Sequence, residues 1–245
     1  MKVQDIYDFL GEKAPYDTCE EWDNVGLLVG SGYLPVTRVL VALDATDGAL
    51  EAAKAIGADL IITHHPVIFN GMKRLDADSI PYRLAAEGIS AISAHTNLDK
   101  AVGGVNDVLA ARLGLTDVEI AADGITRIGT LPEEMGADAF AAHAAEALGM
   151  PVRAAGEKPV KKVAVCGGGG GGFIAACFGL ADCFVTGEVK HHEWLYAAGH
   201  INVIDGGHYS TEVPVVDTLC RWLAEGFPTL QVVPYHEGEC FSVVK

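Results

Sequence analysis

The feature that most constrains the fold of this chain is a repeated alternation of short β-branched runs with alanine-rich stretches of helical character. The runs, three in each half, are rich in Val, Ile and Leu and occupy residues 38–44, 58–63, 89–94, 160–166, 181–186 and 199–205. A helix-like stretch, Ala137–Leu148, precedes the second set. Because strands that alternate with helices form largely parallel sheets, the pattern predicts an α/β fold. We expect two similar lobes with mixed, largely parallel sheets flanked by helices.

A boundary between the lobes is expected near residue 124. The periodicity lapses between Leu115 and Thr126, where acidic residues and glycines collect. The predicted lobes are therefore residues 1–124 and 125–245. The C-terminal segment could instead return to the first sheet, and the sequence leaves both paths open.

Charge and composition argue against two classes of protein. Acidic residues outnumber basic ones by 33 to 17, which gives a net charge of -16, whereas duplex nucleic acid is bound by a basic surface. The apolar runs are far shorter than the roughly 20 residues of a membrane span, and the N-terminus lacks the pattern of a secretory signal. The six cysteines form no CxxC pair. We therefore expect reduced core thiols in a soluble, cytoplasmic protein without a membrane partner.

Polar residues that suit a functional site follow the predicted strands. In open α/β sheets, functional residues lie beyond the carboxyl ends of the strands. The residues at such positions are Asp44, His64, His65, His95, Asp99, Glu188, Asp205 and His208. This recurrence predicts a site in a crevice between the lobes. In contrast, His143, His200 and His236 are interpreted as structural histidines, each satisfied by one hydrogen bond.

The pair His64-His65 is the sharpest of these signals. Neighbouring side chains on a strand point to opposite faces, so both imidazoles can serve one site only if the chain leaves the strand there. Pro66 enforces an extended exit from the strand. This geometry suits two adjacent metal ions, and the alternative is a pair of edge-of-sheet histidines that bind no ligand.

The next strand end carries His95 and Asp99. Asp99 is a hard oxygen ligand that could reach the same crevice, and His95 is expected to orient a ligand rather than to bind the metal. The alternative for Asp99 is an Asx turn, or a cap for the helix expected around residues 106–113.

His208 and Glu212 form the last candidate pair. Pro214 belongs in the first turn of a helix, so we expect the helix to start near residue 210 or 211 and His208 to lie in the loop before it. The glycines at 206 and 207 would let this loop bend His208 back towards Glu212. The alternative makes Glu212 a first-turn acid that interacts with the helix dipole.

Taken together, these three imidazoles and two carboxylates suit an open pair of divalent ions. If Glu212 bridges, one ion takes His65, Asp99 and Glu212, and the other takes His64, His208 and Glu212. The charge of two such ions outweighs that of the two carboxylates, which leaves room for water and a small anionic substrate. Mixed imidazole and carboxylate ligands suit zinc, iron, manganese or nickel.

Several short segments carry a family resemblance and occur in order along nearly the whole chain. They are Trp22-Asp-Asn-Val-Gly26, Ile62-Thr-His-His-Pro66, His95-Thr-Asn-Leu-Asp99, Gly103-Gly-Val-Asn106, Thr186-Gly-Glu188 with His192, and Gly207-His-Tyr-Ser-Thr-Glu212. Through them the chain resembles the Nif-three-like dinuclear-metal proteins, also called GTP cyclohydrolase I type 2 homologues. The resemblance implies the same five metal ligands, a two-lobed protomer and a ring-shaped homohexamer that encloses the sites.

The chain departs from this family at three places. Residue 188 is Glu where the family usually has Asp, residue 191 is His where an aromatic is common, and the glycine run at 167–172 is purer than usual. The departures leave the ligands intact and bear on the side of the site that would face the substrate. The resemblance places His192 in the lining of the crevice.

The function that follows is that of a dinuclear-metal-dependent hydrolase-type protein. GTP cyclohydrolase is the candidate activity, in which metal-activated water opens a purine ring. His95, His192 and Glu188 are the candidate proton-transfer residues. One alternative is a metal-dependent phosphoesterase or nucleotidase, and another is a non-catalytic ring that handles metal or serves as a scaffold.

Overall fold

The computed structural model describes residues 1–241. The helices are α1 (Val3–Lys13), α2 (Asp47–Ile56), α3 (Ile80–Ala86), α4 (Thr96–Lys100), α5 (Val105–Arg112), α6 (Ala137–Leu148), α7 (His191–Ala197), α8 (His208–Glu212) and α9 (Pro214–Gly226). The strands are β1 (Gly26–Val29), β2 (Arg38–Ala42), β3 (Leu60–Thr63), β4 (Ser90–Ser93), β5 (Thr116–Ile120), β6 (Arg127–Met135), β7 (Arg153–Ala155), β8 (Val160–Cys166), β9 (Cys183–Thr186), β10 (Asn202–Asp205) and β11 (Gln231–Tyr235). Short 3₁₀ helices lie at Tyr16–Thr18 and Gly170–Cys177.

The chain divides into two compact units. Unit 1 consists of Met1–Gly104 and Val215–Glu237, and unit 2 consists of Val105–Pro214 and residues 238–241. This division differs from the predicted boundary near residue 124, because α5 packs into the core of unit 2. After α9 the chain forms β11, which pairs with β2 of the first sheet. That is one of the two paths that the sequence left open for the C-terminal segment.

Unit 1 is built on a five-stranded mixed sheet. The strand order is β1-β4-β3-β2-β11, with β1 antiparallel to its neighbour and the other pairs parallel. Helix α2 begins where the Thr46 hydroxyl accepts a hydrogen bond from Ala49 N, and it ends at Gly57, whose φ of 64° is left-handed. Its buried face, which includes Leu50, packs with Leu40 and Ile61 of the sheet. This packing fixes the helix against the parallel strands whose ends carry the candidate residues.

Unit 2 is built on a six-stranded mixed sheet. The order is β5-β6-β8-β9-β10-β7, in which β8, β9 and β10 are parallel and the flanking pairs are antiparallel. Side chains of β8 alternate between two cores: Val163 and Val165 pack with α5 and α6, whereas Ala164 and Cys166 pack with α7 and the second 3₁₀ helix. Both faces of this sheet are therefore covered, as expected where neighbouring side chains point to opposite sides.

The sequence-based prediction of a mixed α/β fold with two helix-flanked sheets is confirmed. Helix α6 and strand β8 have the predicted bounds. The other predicted strands are shorter by two or three residues. Across residues 1–241, the helices all fall short of the length and apolar character needed to span a membrane.

The cysteines correspond only in part to the predicted core thiols. Cys166, Cys177 and Cys183 are buried and form no disulfide. Burial raises the pKa of Cys177 to about 11, which keeps this thiol protonated and unreactive. Cys19 and Cys220 are half-buried, and Cys240 is exposed. Placing Cys240 in the core was wrong, because residues 236–241, which follow β11, are mostly exposed.

Candidate metal centre

His64 and His65 lie at the point where β3 ends. Thr63 is the last residue of the strand, and its hydroxyl donates a hydrogen bond to the carbonyl of His65 at 2.7 Å. This bond turns the chain sharply, and Pro66 follows directly. The His64 side chain is fully buried, whereas that of His65 is 23% exposed. The two ring centroids are only 4.9 Å apart, so the imidazoles do not point to opposite faces of the sheet.

The Nδ1 atoms of both rings are held by acceptors. His64 Nδ1 is 2.9 Å from the backbone oxygen of Ala94. Since a carbonyl oxygen only accepts, this nitrogen carries the proton and donates it. His65 Nδ1 lies 2.7 Å from Oδ1 of Asp44, which follows β2. Nε2 of each ring is therefore left as the ligand atom, and the Asp44 carboxylate fixes the orientation of His65.

His95 is held in the same way by a buried aspartate. Its Nδ1 is 2.9 Å from Oδ1 of Asp23, whose other oxygen accepts hydrogen bonds from the Thr96 amide at 3.0 Å and the Thr96 hydroxyl at 2.5 Å. Burial raises the pKa of Asp23, but the hydrogen bonds from His95 and Thr96 outweigh it and hold this pKa well below its usual range. Asp23 is therefore ionised at neutral pH and fixes the orientation of the His95 ring.

These three histidines form a cluster that could hold a metal ion. One ligand atom from each of His64, His65 and His95 can be chosen so that all three lie within 4.8 Å of one another. An outward-facing Nδ1 bonded to an acceptor and an inward-facing Nε2 are the usual arrangement of histidine ligands. The sequence predicted that His95 orients a ligand. Because its ring lies next to those of His64 and His65, direct binding of the metal by His95 is an alternative role.

Asp99 adds a carboxylate to this cluster. Its Oδ1 lies 3.6 Å from Nε2 of His64, and its side chain is 14% exposed. Nearby, Oδ1 of Asn97 accepts a hydrogen bond from the His95 amide at 3.0 Å. Asn97 also donates to the Ala14 carbonyl at 2.7 Å. These two hydrogen bonds fix the start of α4, the helix that also carries Asp99.

In unit 2, His208 and Glu212 face each other along α8. His208 is the first residue of this helix, so the expectation that it lies in a preceding loop was wrong. Pro214 lies in the first turn of a helix, as predicted, but that helix is α9, which begins at residue 214 rather than near 210 or 211, and the short α8 precedes it. His208 Nε2 is 3.0 Å from Oε2 of Glu212, and His208 Nδ1 is 2.8 Å from Oε1 of Glu188. Glu188 thus orients His208 as Asp44 orients His65.

Gly168, within the glycine run, makes room for this pair. Its φ is +57°, a left-handed conformation that favours glycine. A Cβ atom at this position would lie 2.7 Å from Cδ of Glu212 and 3.0 Å from Nε2 of His208. The Gly168 amide also donates to Thr211 Oγ1 at 3.0 Å, which ties the turn to α8. The glycine at this position is therefore required by the buried carboxylate that it faces.

The donor atoms fit divalent transition metals. Imidazole nitrogens and carboxylate oxygens together suit zinc, iron, manganese or nickel. Glu212 is only 4% exposed and His64 is fully buried, and a buried carboxylate costs several kcal/mol unless it is paired or coordinates a metal. A cation next to these groups would offset that cost, so the residues present are chemically suited to hold a metal.

The structure distributes the predicted site residues over the two units. Unit 1 contains His64, His65, His95 and Asp99, and unit 2 contains His208, Glu212 and Glu188. The third predicted proton-transfer residue, His192, is exposed on α7.

Sequence reasoning missed the role of Asp23 and the partner of His65. Asp23 lies in the Trp22-Asp-Asn-Val-Gly26 segment, which contributed only a resemblance, and Asp44 was noted only as a polar strand end. A useful signal would have been that each histidine needs an acceptor for Nδ1. Aspartates at neighbouring loops were candidates for that partner.

Comparisons with known proteins identify relatives along most of the chain. A family model described as Duf34/NIF3 (NGG1p interacting factor 3) matches residues 1–237. A protein from Clostridium perfringens named GTP cyclohydrolase 1 type 2 homolog is 34% identical over 232 residues, which cover 88% of each chain.

Solved structures share the fold over the whole chain. The Staphylococcus aureus protein SA1388 is 30% identical, with a TM-score of 0.92 and coverage of 100% of this chain and 99% of its own. A Bacillus cereus protein related to NIF3 has a TM-score of 0.94 at 24% identity, again covering 100% and 99%. At 24% identity, the similarity to this second structure supports the fold alone.

Proposed function

The chain belongs to the Duf34/NIF3 family, and we propose that it is a dinuclear-metal-dependent hydrolase-type protein with GTP cyclohydrolase as its candidate activity. The observation that carries the proposal is the shared orientation of His64, His65 and His208. In each ring an acceptor holds Nδ1, so that Nε2 is the ligand atom. Nε2 of His64 and of His208 faces a carboxylate. Histidines that bind a metal almost always have the other ring nitrogen held in this way, and this supports the proposal.

We assign the ligands of both ions to five residues. These are His64, His65 and Asp99 from unit 1, and His208 and Glu212 from unit 2. The pair in unit 2 is too small to satisfy a metal ion by itself. Glu212 has two carboxylate oxygens and is our candidate for the bridging ligand.

Divalent ions held by these residues would supply Lewis acidity and lower the pKa of bound water. The chain's own residues support that chemistry. Asp44 and Glu188 keep His65 and His208 in the orientation that a ligand needs. Asp23 keeps the Nδ1 proton on His95, which leaves His95 Nε2 to accept a proton from a substrate group or to return one.

The test is product analysis after the metal-loaded protein meets GTP and a panel of nucleotides. Mass spectrometry should detect a ring-opened purine with the wild-type protein and none with Glu212→Ala. Release of phosphate would favour the phosphoesterase alternative. An absence of turnover with zinc, iron, manganese and nickel would contradict the enzymatic proposal and favour metal handling or a scaffold role.

The metal content of the same variant tests the ligand assignment separately. Glu212→Ala should lose metal from both positions if Glu212 bridges. Retention of two ions per chain at full occupancy, measured by inductively coupled plasma mass spectrometry, would contradict the bridge.

We also propose a homohexamer in the cytoplasm, on the strength of the family resemblance. Native mass spectrometry of the purified protein should give six times the chain mass of 25.7 kDa. A monomer or dimer as the largest species would contradict the hexamer without affecting the ligand assignment.

A further inference from the structure

Two large aromatic side chains stand exposed beside the histidine cluster of unit 1. Trp22 is 60% exposed and Phe69 is 48% exposed. Their ring centroids are 5.8 Å apart, and those of Trp22 and Phe69 lie 6.0 Å and 6.1 Å from the centroid of His95. His95 in turn lies 5.1 Å from His64 and 5.5 Å from His65. His95 is therefore the link between the candidate metal ligands and an open aromatic surface.

The loops that carry these aromatics are fixed to each other and to the site. The Asn24 side-chain amide donates to the Ile68 carbonyl at 2.5 Å, which joins the loop of Trp22 to the loop of Phe69. Asp23, between Trp22 and Asn24, is bonded to His95. The aromatic pair is thus held in place before any ligand binds, and binding would require little ordering of the two loops.

The ring geometry suits a flat ligand. The planes of Trp22 and Phe69 are tilted by 40°, so the two rings form an open wedge rather than a closed stack. A planar ring can lie on the Trp22 face with its edge against Phe69, in the offset and edge-to-face contacts that aromatic rings favour. Both aromatics are roughly perpendicular to His95, at 72° and 67°. A ring on this wedge would therefore lie close to the His95 imidazole.

We propose that Trp22 and Phe69 form a stacking platform for a planar heteroaromatic ring of the substrate, such as a nucleobase. The platform gives the site a preference for nucleosides and nucleotides over phosphate esters without a base. The inference rests on the proposed function for the position of the reacting group, and it adds the residues that would bind the base. It also assigns Asn24 a positioning role in place of direct contact with the substrate.

The test compares two probes that differ only in the base. Guanosine 5′-monophosphate and ribose 5-phosphate are titrated into the metal-containing protein by isothermal calorimetry. Stacking on an aromatic side chain contributes about 1–3 kcal/mol per base, so the nucleotide should bind roughly 5- to 150-fold more tightly. In Trp22→Ala and Phe69→Ala most of this ratio should disappear, while the affinity for ribose 5-phosphate stays unchanged. Trp22→Phe keeps a ring and should keep most of the ratio.

A matched control is Tyr33→Ala, which removes another exposed aromatic of unit 1, 84% exposed in the turn after β1. It should leave both affinities unchanged. Equal affinities for the two probes in the wild-type protein, or no binding of the nucleotide, would overturn the proposal. An equal loss of affinity for both probes in Trp22→Ala, at unchanged metal content, would also overturn the proposal.

This experiment separates the inference from the proposed function. A base preference that depends on Trp22, in a protein that turns over no nucleotide, supports the platform and contradicts the hydrolase. Turnover without any base preference supports the hydrolase and contradicts the platform. Because the readout is a ratio of binding constants, it does not depend on which reaction the site performs.

Discussion

The parallel strands β2-β3-β4 of unit 1 and β8-β9-β10 of unit 2 share one hydrogen-bonding plan. An aspartate just before each middle strand accepts hydrogen bonds from the amides that begin the preceding strand. Asp59 accepts from residues 37 and 38 at 2.7 Å and 3.1 Å, and Asp182 accepts from residues 161 and 162 at 3.0 Å and 2.8 Å. Both middle strands end at a fully buried threonine, Thr63 or Thr186. The two units thus repeat one scaffold up to the ends of these strands.

Beyond those threonines the two units diverge. Thr63 is followed by His64 and His65, whereas Thr186 is followed by Gly187 and Glu188. A Cβ atom on Gly187 would lie 2.7 Å from Cα of His208, so the strand end of unit 2 is kept small to admit α8. In unit 1 the imidazoles follow directly after a strand end. In unit 2 the strand end carries a glycine, and the imidazole of His208 comes from a helix. The two units therefore share the arrangement of their strands and differ in the functional residues that follow the strands.

The largest loss of metal affinity should come from removing a proposed carboxylate ligand, in one variant for each unit. Asp99→Ala and Glu212→Ala should each lower metal affinity by more than the roughly 10- to 100-fold that an outer-shell partner typically costs, because each removes a proposed ligand atom. Metal content after dialysis against a fixed zinc concentration measures both losses. His236→Gln, which alters an exposed histidine bonded to Asp217, is the control.

This pair of variants also tests whether the two units act together. If both lose the same number of ions, the units contribute to one centre. A protein that loses metal in Asp99→Ala but keeps all of it in Glu212→Ala would confine the centre to unit 1.

The next effect should come from filling the space at Gly168. Gly168→Ala places a methyl group against the Glu212 carboxylate and His208 Nε2, so metal affinity should fall by roughly 10- to 100-fold, as for a displaced partner of a ligand. Its control is Gly88→Ala, since Gly88 also has positive φ, at 73°, but no atom within 4 Å of the added methyl. Both variants carry the backbone strain of about 1 kcal/mol.

The two variants are compared by thermal denaturation and by metal content. A similar loss of stability with metal loss only in Gly168→Ala supports the steric role of the glycine. If Gly168→Ala binds metal like wild type, the geometry around Glu212 adjusts freely and the explanation fails.

A smaller loss of metal affinity should follow from removing the carboxylates that orient His65 and His208. Asp44→Ala and Glu188→Ala remove the acceptors of His65 Nδ1 and His208 Nδ1. Each should weaken metal binding by about 10-fold, towards the lower end of the usual range, because both partners are substantially exposed to water that can replace them. Competition with a chelator of known affinity measures the change. Asp44→Asn retains an acceptor oxygen and should recover most of the loss.

The fold was predictable from sequence because its signals are local. Val-rich and Ile-rich runs bounded by turns specify strands, and the Ala137–Leu148 pattern gives helix α6. The domain boundary was harder, since which core α5 joins depends on packing between residues such as Leu109 and Phe140, which are distant in the sequence. The same limit applies to β11, whose partner β2 lies almost two hundred residues earlier.

The candidate site was predictable where one segment carries its own geometry, as at His64-His65-Pro66. It was not predictable where a partner comes from another loop. Asp23 and His95 are 72 residues apart, and only the folded loops bring them together. The break between α8 and α9 was missed for another reason: Pro214 marks the start of a helix but does not forbid a short helix immediately before it.

The smallest effect should come from the aspartates that the two scaffolds share. Asp59→Ala should lower the free energy of unfolding by about 1–2 kcal/mol at pH 7, because it removes acceptors for two amides and the Thr37 hydroxyl. Asp182→Ala removes acceptors for two amides and should cost less. Urea denaturation followed by circular dichroism measures both, and an equal or larger loss in Asp182→Ala would contradict the ranking.

The Asp59 contribution should also depend on pH. Burial raises the pKa of Asp59, but hydrogen bonds from Thr37 and Arg38 outweigh it and lower the pKa in the folded protein. In the unfolded chain the pKa is about 3.9, so over this range the unfolded state binds more protons and stability rises with pH. The contribution is present in full above the unfolded pKa and is lost as the pH falls through the lower folded value. The difference between wild type and Asp59→Ala should therefore shrink below about pH 4, and a difference that stays constant down to the acid transition would mean that the carboxylate charge does not stabilise the strand end.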